Sequence, residues 1–446
     1  MIEIFTLGGY NQVGKNMTAV RVDGKVVVFD LGLHLEQYIK LNDEIDDVHF
    51  VATKQLIKNE VVPDIGPIKK YKDDVIAIVP THAHLDHLGA IPFLAKEFKN
   101  APVFASPFTA EVLKALLRDD KIPFKNQIKI LNINSSFDLG PNLTLEFINS
   151  THSTPQTVMA ALHTKYGTII YANDFKFDEF PTFGRKTNIE KLREFGNQHN
   201  VIALICDSTY ANTPSKTPSE SVAQQMLKDV MLGTDSLGKG VIVTTFASHI
   251  ARLKSIIQFG KKMKREVWFL GRSLCKYTEA AEEIHLVNFT KDIRMFKYRN
   301  QINKALKEVI AKGKEKYLLV VTGHQGEPES TLSRIADGKL KFNLEQGDQI
   351  IFSCKTIPVP VNIENRLKLE EKLRRFNVRM FTDIHVSGHA SREDLRDLIN
   401  LVQPLHIIPA HGDENMRQGM VSLASEMGYK KMQIHMHKDG EKLILK

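Results

Sequence analysis

Short apolar runs bounded by turn residues open the chain and predict three β-strands, at Ile2–Leu7, Thr18–Val22 and Lys25–Phe29. The Asp23-Gly24 pair between the last two runs is a hairpin signal. Another apolar run, Val75–Val79, leads into a histidine-rich loop, and a helical pattern follows over Leu88–Phe98. Loops held between a strand and a helix often carry functional side chains, so this loop is the first candidate site.

Apolar runs that end near an aspartate recur further along the chain. A strand pattern at Thr168–Ala172 ends near Asp174, and another at Val201–Cys206 ends at Asp207. A stretch rich in Ser, Thr and Pro then covers residues 209–221, and a proline-containing stretch covers residues 355–362. Both stretches are predicted to be linkers between domains.

Helical and strand patterns alternate between these linkers, which predicts an α/β domain with a parallel sheet. The predicted helices are Glu220–Met231, Ile250–Lys264 and Asn300–Lys312. The predicted strands are Gly240–Thr245, Glu266–Leu270, Tyr317–Thr322 and Asp348–Ser353. Beyond the second linker, a helix at Glu364–Phe376 and a strand at Val378–Phe381 lead into another histidine-rich segment.

Composition narrows the class of protein. The 446 residues are 42% hydrophobic and 25% charged, which is typical of a globular protein and excludes a disordered or collagen-like chain. Lys and Arg outnumber Asp and Glu by 60 to 52, and the net charge of +8 fits plain solubility as well as a polyanionic partner. The three cysteines form no CxxC pair, and Met1–Val20 lacks a secretion signal. We therefore expect a cytoplasmic protein with no membrane span.

The histidine-rich loop reads Thr81-His82-Ala83-His84-Leu85-Asp86-His87 and places four potential metal ligands within six residues. Imidazole nitrogen and carboxylate oxygen suit Zn²⁺. Two metal ions about 3.5–4 Å apart can clamp the attacking and departing oxygens of a displacement reaction. A lone histidine is more often structural than a ligand, but the HxHxDH spacing favours a metal site.

Further donors follow other apolar runs, at His152, Asp174 and His411. Taken singly, each is as consistent with a structural role as with metal ligation. Together with the HxHxDH loop, they supply the number of donors that a dinuclear site requires. Asp174 could bridge two ions, because a carboxylate has two oxygens to offer and an imidazole does not bridge in this way.

These residues resemble the motifs of the metallo-β-lactamase superfamily, with Asp30, the HxHxDH loop, His152, Asp174 and His411 as the matching positions. The segment between Asp207 and Lys355 resembles the β-CASP insertion of nucleic-acid-processing members, whose three extra motifs match Asp207, His389 and His411. The resemblance implies an α/β fold, in which residues 1–207 and 356–446 form a metallo-β-lactamase αββα sandwich and residues 208–355 form an inserted β-CASP domain. It associates a histidine at the third motif with RNA substrates.

Within the β-CASP branch, several phrases resemble the ribonuclease J family. They are LGGYNQVGKN at 7–16, TTFAS at 244–248, TGHQGEP at 322–328 and HVSGHAS at 385–391. The chain departs from the usual pattern at Gln12, where the family has glutamate, at His324, where it has serine, and at Pro358-Val359-Pro360. Its extent resembles the shorter archaeal form. The resemblance implies a zinc-dependent 5′-to-3′ exoribonuclease of 5′-monophosphorylated RNA in RNA decay and maturation, with endonuclease activity as an accompaniment.

The resemblance also implies roles for the site residues. One Zn²⁺ would be held by His82, His84 and His152, a second by Asp86, His87 and His411, with Asp174 bridging them. Asp30 would orient a ligand imidazole, although a strand-end turn former is the alternative. His389 would act as the general acid, with Asp207 holding it and raising its pKa, and Asp86 completes the catalytic set.

By the same resemblance, a 5′-terminal nucleotide monophosphate would be held by Phe246-Ala247-Ser248 and by His385-Val386-Ser387-Gly388-His389. The helix expected near Arg392 would offer free backbone amides to a phosphate. The predicted helix 250–264 is basic, and it forms either a solvated face or the wall of an RNA channel. Its basic residues are Arg252, Lys254, Lys261, Lys262 and Lys264.

Other functions share parts of this pattern. A small-molecule metallohydrolase has the HxHxDH loop but needs no second α/β domain. A non-catalytic RNA-binding scaffold would tend to have lost metal ligands. A β-CASP endoribonuclease that processes RNA 3′ ends is the more serious alternative. Because the family often pairs its subunits, we expect a homodimer.

Overall fold

The computed structural model describes residues 1–44, 52–119 and 121–445, and it divides into two compact units. The first unit comprises residues 1–179, 184–217 and 387–446, and the second comprises residues 180–183 and 218–386. Three pieces of sequence therefore build the first unit, whereas the second is almost continuous. Among the described residues, no helix combines the length and the apolar character that a membrane crossing requires.

Two mixed sheets form the centre of the first unit. In spatial order, the seven-stranded sheet consists of β19 (Glu441–Leu445), β1 (Ile2–Gly8), β2 (Met17–Val22), β3 (Lys25–Phe29), β4 (Val75–Val79), β5 (Val103–Ala105) and β6 (Ile128–Ile130). The six-stranded sheet consists of β18 (His406–Ala410), β11 (Val201–Asp207), β10 (Gly167–Ala172), β9 (Val158–Thr164), β8 (Leu143–Asn149) and β7 (Ser135–Gly140). One hydrophobic core contains side chains of both sheets, among them Phe29, Ala77, Phe147 and Tyr171. The sheets therefore pack face to face.

Helices cover the outer faces of this sandwich. The helices of the first unit are α1 (Leu35–Glu44), α2 (Thr53–Lys58), α3 (Leu85–Leu88), α4 (Ile91–Leu94), α5 (Pro107–Asp119), α6 (Ile189–Asn197), α13 (Arg392–Val402) and α14 (Glu414–Glu426). Leu192, Leu398 and Leu423, from three of these helices, share a second core with the outward side chains of the six-stranded sheet. Helix α5 packs against β5 and β6 of the other sheet. The layers confirm the αββα sandwich that the sequence predicted.

The second unit is built around a six-stranded sheet in which every pairing is parallel. Its spatial order is β14 (Ile293–Phe296), β13 (Glu266–Leu270), β15 (Tyr317–Val321), β12 (Val241–Thr244), β16 (Gln349–Phe352) and β17 (Arg379–Phe381). Its helices are α7 (Glu220–Gly233), α8 (Ile250–Lys262), α9 (Arg272–Glu283), α10 (Arg299–Lys312), α11 (Thr331–Ala336) and α12 (Pro360–Arg374). Short 3₁₀ segments lie at Lys314–Lys316 in this unit and at Gly66–Asp74, Ala95–Glu97 and Lys431–Gln433 in the first unit. The alternating pattern thus correctly predicted a parallel sheet.

The second unit extends further along the chain than the predicted insertion at 208–355. Strand β17 pairs with β16, and Leu369 and Leu373 of α12 are buried in the core of the second unit. These contacts place residues 356–386 in the second unit, although the proline-containing stretch before them has the composition of a linker. At the other boundary, the first unit continues to residue 217.

Two local expectations differ from the structure. The helix expected over Leu88–Phe98 is broken into α3, α4 and a 3₁₀ segment, and α3 begins early enough to carry Asp86 and His87. On α8, Arg252 is fully buried, whereas Lys254, Lys261, Lys262 and Lys264 are exposed at its surface or just beyond its end. Arg252 therefore cannot belong to a solvated face or to the wall of an RNA channel.

Candidate metal centre

The HxHxDH loop begins after β4 and is anchored to the segment that follows β3 and to Asn16, directly before β2. Leu31 N donates to His87 O at 2.7 Å and Asn16 N donates to Asp86 O at 3.1 Å. A Cβ atom on Gly32 would lie 1.7 Å from Asp86 O, so only glycine permits this close approach. These backbone contacts fix the direction of the histidine and aspartate side chains.

Ends of several strands bring the other predicted donors to the same place. His152 lies three residues after β8, Asp174 lies two residues after β10, and His411 follows β18 directly. Strands β11 and β18 pair in parallel with Asp207 opposite Ala410. Asp207 therefore lies beside the turn that begins at His411. All seven predicted metal ligands thus converge within the first unit.

Potential ligand atoms form three overlapping groups, each within 4.8 Å. The groups are His82, His84, His152 and Asp174; Asp86, His87 and His411; and Asp174, His389 and His411. Asp174 belongs to two of them, with Oδ2 3.5 Å from Nε2 of His82 and Oδ1 3.2 Å from Nε2 of His87. A carboxylate that faces both donor groups has the position required of a bridging ligand.

The chemistry of these donors fits a metal ion. Asp174 Oδ1 is buried between Nε2 of His87 and Nε2 of His411, at 3.2 and 3.5 Å, but forms no hydrogen bond of good geometry with either, which is costly unless a cation compensates it. Burial lowers the pKa of His82 and His152 well below the ordinary value and that of His84 to about 4. These three imidazoles are therefore neutral at neutral pH, the form in which histidine binds metals.

The carboxylates of the site stay ionised in spite of their burial. Burial alone would raise the pKa of Asp174, but His411, His87 and His389 outweigh it and hold the pKa well below its usual value. The pKa of Asp86 is lowered as well, because His87 offsets the effect of burial. Two buried carboxylates whose negative charge needs a compensating cation are an environment that attracts a divalent metal ion.

Hydrogen bonds from outside the donor set hold the imidazole rings. Asp30 Oδ2 accepts a 2.8 Å bond from His87 Nδ1 and a 3.0 Å bond from the Tyr171 hydroxyl. Asn16 Oδ1 accepts from His411 Nδ1 at 2.8 Å, and Gly388 O accepts from His152 Nδ1 at 2.7 Å. Each of these rings keeps Nε2 directed toward Asp174. Such contacts fix the tautomer and orientation of metal-binding histidines.

Sequence reasoning missed three of these supporting groups. Asn16 belongs to the LGGYNQVGKN phrase at 7–16, but the sequence assigns it no contact with a metal ligand. Tyr171 has the pattern of an ordinary core residue, and the contact at Gly388 is made by a backbone oxygen. The presence of Asn16 beside a glycine-rich turn was the one available signal. Asp30 lies where it was expected, in contact with a predicted ligand imidazole.

His389 lies at the edge of the donor cluster. Its Nδ1 donates to Asp207 Oδ2 at 2.9 Å, and its Nε2 is 3.7 Å from Asp174 Oδ2. Burial would lower the pKa of His389, but Asp174 and Asp207 outweigh it and raise the pKa to about 9. Asp207 is itself held by the amide and hydroxyl of Thr209. A protonated imidazole with one free nitrogen can donate a proton.

The predicted anion site of free amides at the start of α13 is wrong. His389 N donates to Ser387 Oγ, and Ser391 N donates to Thr217 Oγ1. Arg392 N donates to Thr213 O. Because these amides already have acceptors within the chain, the helix start does not offer a free nest of donors.

The remaining predicted substrate residues lie in the second unit. Phe246, Ala247 and Ser248 follow β12, whereas His385 and Val386 follow β17. The ring centroids of Phe246 and His385 are 6.3 Å apart. The two segments therefore meet at one edge of the parallel sheet.

Known protein families and individual relatives match most of this chain. Three family models match: "Beta-lactamase superfamily domain" over residues 58–184, "Ribonuclease J, beta-CASP domain" over 238–368 and "Zn-dependent metallo-hydrolase RNA specificity domain" over 375–436. Ribonuclease J of Methanocaldococcus jannaschii is 42% identical over 99% of this chain and 98% of its own length. Ribonuclease J of Pyrococcus abyssi is 41% identical over 96% and 94%, respectively.

More distant proteins also align over the whole chain. Ribonuclease J of Mycobacterium tuberculosis is 31% identical over 98% of this chain and 74% of its own length. A crystal structure of an Enterococcus faecalis protein of unknown function matches with a TM-score of 0.66 at 17% identity and covers all of both chains. That last similarity concerns the fold alone.

Proposed function

The chain belongs to the ribonuclease J family and is a metal-dependent ribonuclease, and on that premise we propose that it is a zinc-dependent 5′-to-3′ exoribonuclease. Its substrate would be 5′-monophosphorylated RNA, and it would act in RNA decay and maturation. It would also cleave RNA internally, as an endonuclease. The observation that carries it is the convergence of six donor side chains around the Asp174 carboxylate, with His389 and Asp207 beside them.

The donor groups support two Zn²⁺ ions per subunit. His82, His84 and His152 would hold one ion, Asp86, His87 and His411 the other, and Asp174 would contact both. When bound, Zn²⁺ ions stabilise charge on phosphate oxygens and bring the pKa of bound water to near neutrality. Asp30 and Asn16 would hold the rings of His87 and His411 in place during the reaction.

His389 would protonate the leaving 3′ oxygen of the cleaved phosphodiester. Asp207 accepts the Nδ1 hydrogen bond that fixes the ring, and its negative charge favours the protonated form of His389. Proton donation from Nε2 would leave a neutral imidazole still bonded to Asp207. Phe246–Ser248 and His385–His389 would contact the substrate, the role that the family resemblance implies for them.

One experiment tests both the reaction and its direction. RNA with a radioactive 5′-phosphate, and the same RNA with a 5′-triphosphate and an internal label, are incubated with the zinc-loaded protein and with chelator. We expect the 5′ label to appear first as mononucleotide, cleavage of the triphosphate RNA to be much slower, and chelator to stop both. Equal amounts of discrete internal fragments from both RNAs would instead support the 3′-end-processing endonuclease.

A variant pair connects the activity to the site. Asp174→Ala removes the carboxylate that faces both donor groups, whereas Asp73→Ala changes an exposed aspartate of the same unit. RNA hydrolysis at the wild-type rate in Asp174→Ala would overturn the proposal. A cytoplasmic homodimer also belongs to the proposal, and light scattering of the purified protein measures its subunit number.

A further inference from the structure

Two of the loops that carry predicted metal ligands lie side by side in the first unit and pair through their backbones. Thr151, directly before His152, forms an antiparallel bridge with Lys176, two residues after Asp174. Lys176 N donates to Thr151 O at 2.8 Å, and Thr151 Oγ1 donates to Lys176 O. Asp178 N donates to Thr151 Oγ1 at 3.2 Å. The positions of His152 and Asp174 are therefore coupled through this pairing.

A third segment, residues 185–188, contacts both loops and is called the clasp below. Its central residue is Thr187. Thr151 N donates to Thr187 Oγ1 at 3.0 Å, and Thr187 Oγ1 donates to Lys176 O at 3.2 Å. All three residues are buried, so water cannot take the place of this hydroxyl. One side chain of the clasp thus connects the backbones of both ligand-bearing loops.

The clasp is itself fixed on both sides of Thr187. Asn149, the last residue of β8, donates from Nδ2 to Lys186 O at 2.6 Å, and Asn188 N donates to Asn149 O at 2.9 Å. Asn188 is also the N-cap of α6, where its side chain accepts from Lys191 N at 3.1 Å. The backbone on which the Thr187 hydroxyl is mounted is therefore held by β8 and by the start of α6.

The two loops set one of the distances on which metal binding depends. His152 Nε2 lies 3.5 Å from Asp174 Oδ2. Two ligand atoms at a distance of about 2.0–2.1 Å from one tetrahedral Zn²⁺ are about 3.3 Å apart. Gly388 O accepts from His152 Nδ1 at 2.7 Å, which fixes the orientation of the ring but not the spacing of the loops. Because ligands must be held to within about 0.5 Å, a small shift between the loops would weaken metal binding although every ligand is present.

We propose that Thr187 is a positioning residue for the metal centre, whose hydroxyl holds the His152 loop and the Asp174 loop at the spacing that a metal ion requires. Its hydrogen bonds go to the loop backbones rather than to a ligand side chain, so it acts through the two loops. Donors that are already in place need little rearrangement when a cation binds, which raises the affinity. The inference rests on the proposed function, because the ligand set belongs to it.

The test compares wild type with Thr187→Val, which keeps the shape and loses the hydroxyl, and with Thr187→Ser, which keeps the hydroxyl. Thr164→Val is the matched control, because Thr164 Oγ1 also accepts from an amide, Tyr166 N at 3.0 Å, and donates to a carbonyl, Gly167 O at 2.8 Å. That turn joins β9 to β10 at the end opposite to Asp174. Zn²⁺ affinity is measured by competition with a chelating dye, the absorption of the Co²⁺-loaded proteins reports ligand geometry, and circular dichroism measures folding.

We expect Thr187→Val to weaken Zn²⁺ binding about tenfold and to change the Co²⁺ spectrum, whereas Thr187→Ser and Thr164→Val match wild type in both. A folded Thr187→Val variant with the Zn²⁺ affinity and Co²⁺ spectrum of wild type would overturn this inference and leave the proposed function standing. A wild-type protein that binds no Zn²⁺ would overturn the ligand set of the proposed function, and the role of Thr187 would fall with it.

A second measurement decides the case in which Thr187→Val does not fold. The amides of Thr151, Lys176 and Asp178 have acceptors in the clasp and in the paired loops. In metal-free wild type we therefore expect these amides to exchange with deuterium as slowly as those of β10. Fast exchange there would overturn the inference, because the loops would not be held at a fixed spacing.

Discussion

Replacing Arg252 by methionine removes a buried guanidinium that connects three parts of the second unit. Arg252 Nε and Nη2 donate to the two oxygens of Glu220 at 2.6 and 2.8 Å. Its Nη1 donates to Ser353 O, Ser353 Oγ and Ile384 O at 2.9 to 3.1 Å. The side chain is 0% exposed, and that of Glu220 is 6% exposed. A methionine fills similar space but offers none of these hydrogen bonds.

The expected loss of stability follows from the charge that remains. Burial alone would raise the pKa of Glu220, but His249 and Arg252 outweigh it and hold the pKa well below its usual value. Removing one member of a buried ion pair costs about 3–5 kcal/mol. In Arg252→Met the Glu220 carboxylate loses the guanidinium but keeps His249, 3.4 Å away, as a charged partner, and in the double variant Glu220→Gln with Arg252→Met that buried charge is absent. We therefore expect its loss to be at least about 1.5 kcal/mol smaller than the sum of the two single losses.

The chain provides its own probe for this measurement. Trp268 is its single tryptophan and lies fully buried in β13, so its fluorescence reports unfolding of the second unit alone. With a urea dependence of about 2 kcal/mol per molar, a loss of about 4 kcal/mol lowers the unfolding midpoint by about 2 M. Lys254→Met, on the exposed face of α8, should leave the midpoint within about 0.3 M of wild type. A single variant that costs less than about 1 kcal/mol, or strictly additive losses in the double variant, would refute the reasoning.

Four further predictions concern the first unit. Asp174→Ala should lower bound metal, measured by mass spectrometry, and reduce RNA hydrolysis at least about 100-fold, whereas Asp73→Ala changes neither. His389→Ala should lower kcat by about 10²–10⁴-fold at unchanged metal content, and a fall in metal content would instead identify His389 as a ligand. Asn16→Ala should weaken metal binding about 10–100-fold in competition with a chelating dye, because the His411 ring loses its acceptor. Burial and two neighbouring histidines lower the pKa of His435 to about 4 in the folded protein. Because the unfolded chain binds a proton at this residue more readily, the protein loses stability as the pH falls from about 6.5 toward 4. His435→Gln should therefore flatten the fall of the melting temperature over that range, and an unchanged slope would contradict the assignment.

The metal centre could be predicted because its densest part is local. His82, His84, Asp86 and His87 are close in sequence, and the turn after β4 needs little tertiary information to bring them together. Asn16 could not be assigned in the same way. Its contact with His411 joins residues at opposite ends of the chain, and asparagine in a glycine-rich loop has many ordinary uses.

For Arg252, the local sequence pattern predicts the wrong environment. Five basic residues near one helix indicate a solvated or RNA-facing surface, but the partner of Arg252 is Glu220, 32 positions earlier and on another helix. Charge periodicity contains no information about such a partner. Composition likewise predicts the boundary after residue 355 too early, because it does not reveal that β17 pairs with β16.

The pairing of β1 with β19 has a consequence for how the protein is made on the ribosome. The second unit is complete once residue 386 has been synthesised, whereas β1 must wait for residues 441–445 to occupy its free edge. At about 5–20 residues per second, this interval is roughly 3–12 s. Until residue 411 has been synthesised, the histidines made earlier lack His411, so the nascent polypeptide acquires its full set of metal ligands only after the second unit is complete.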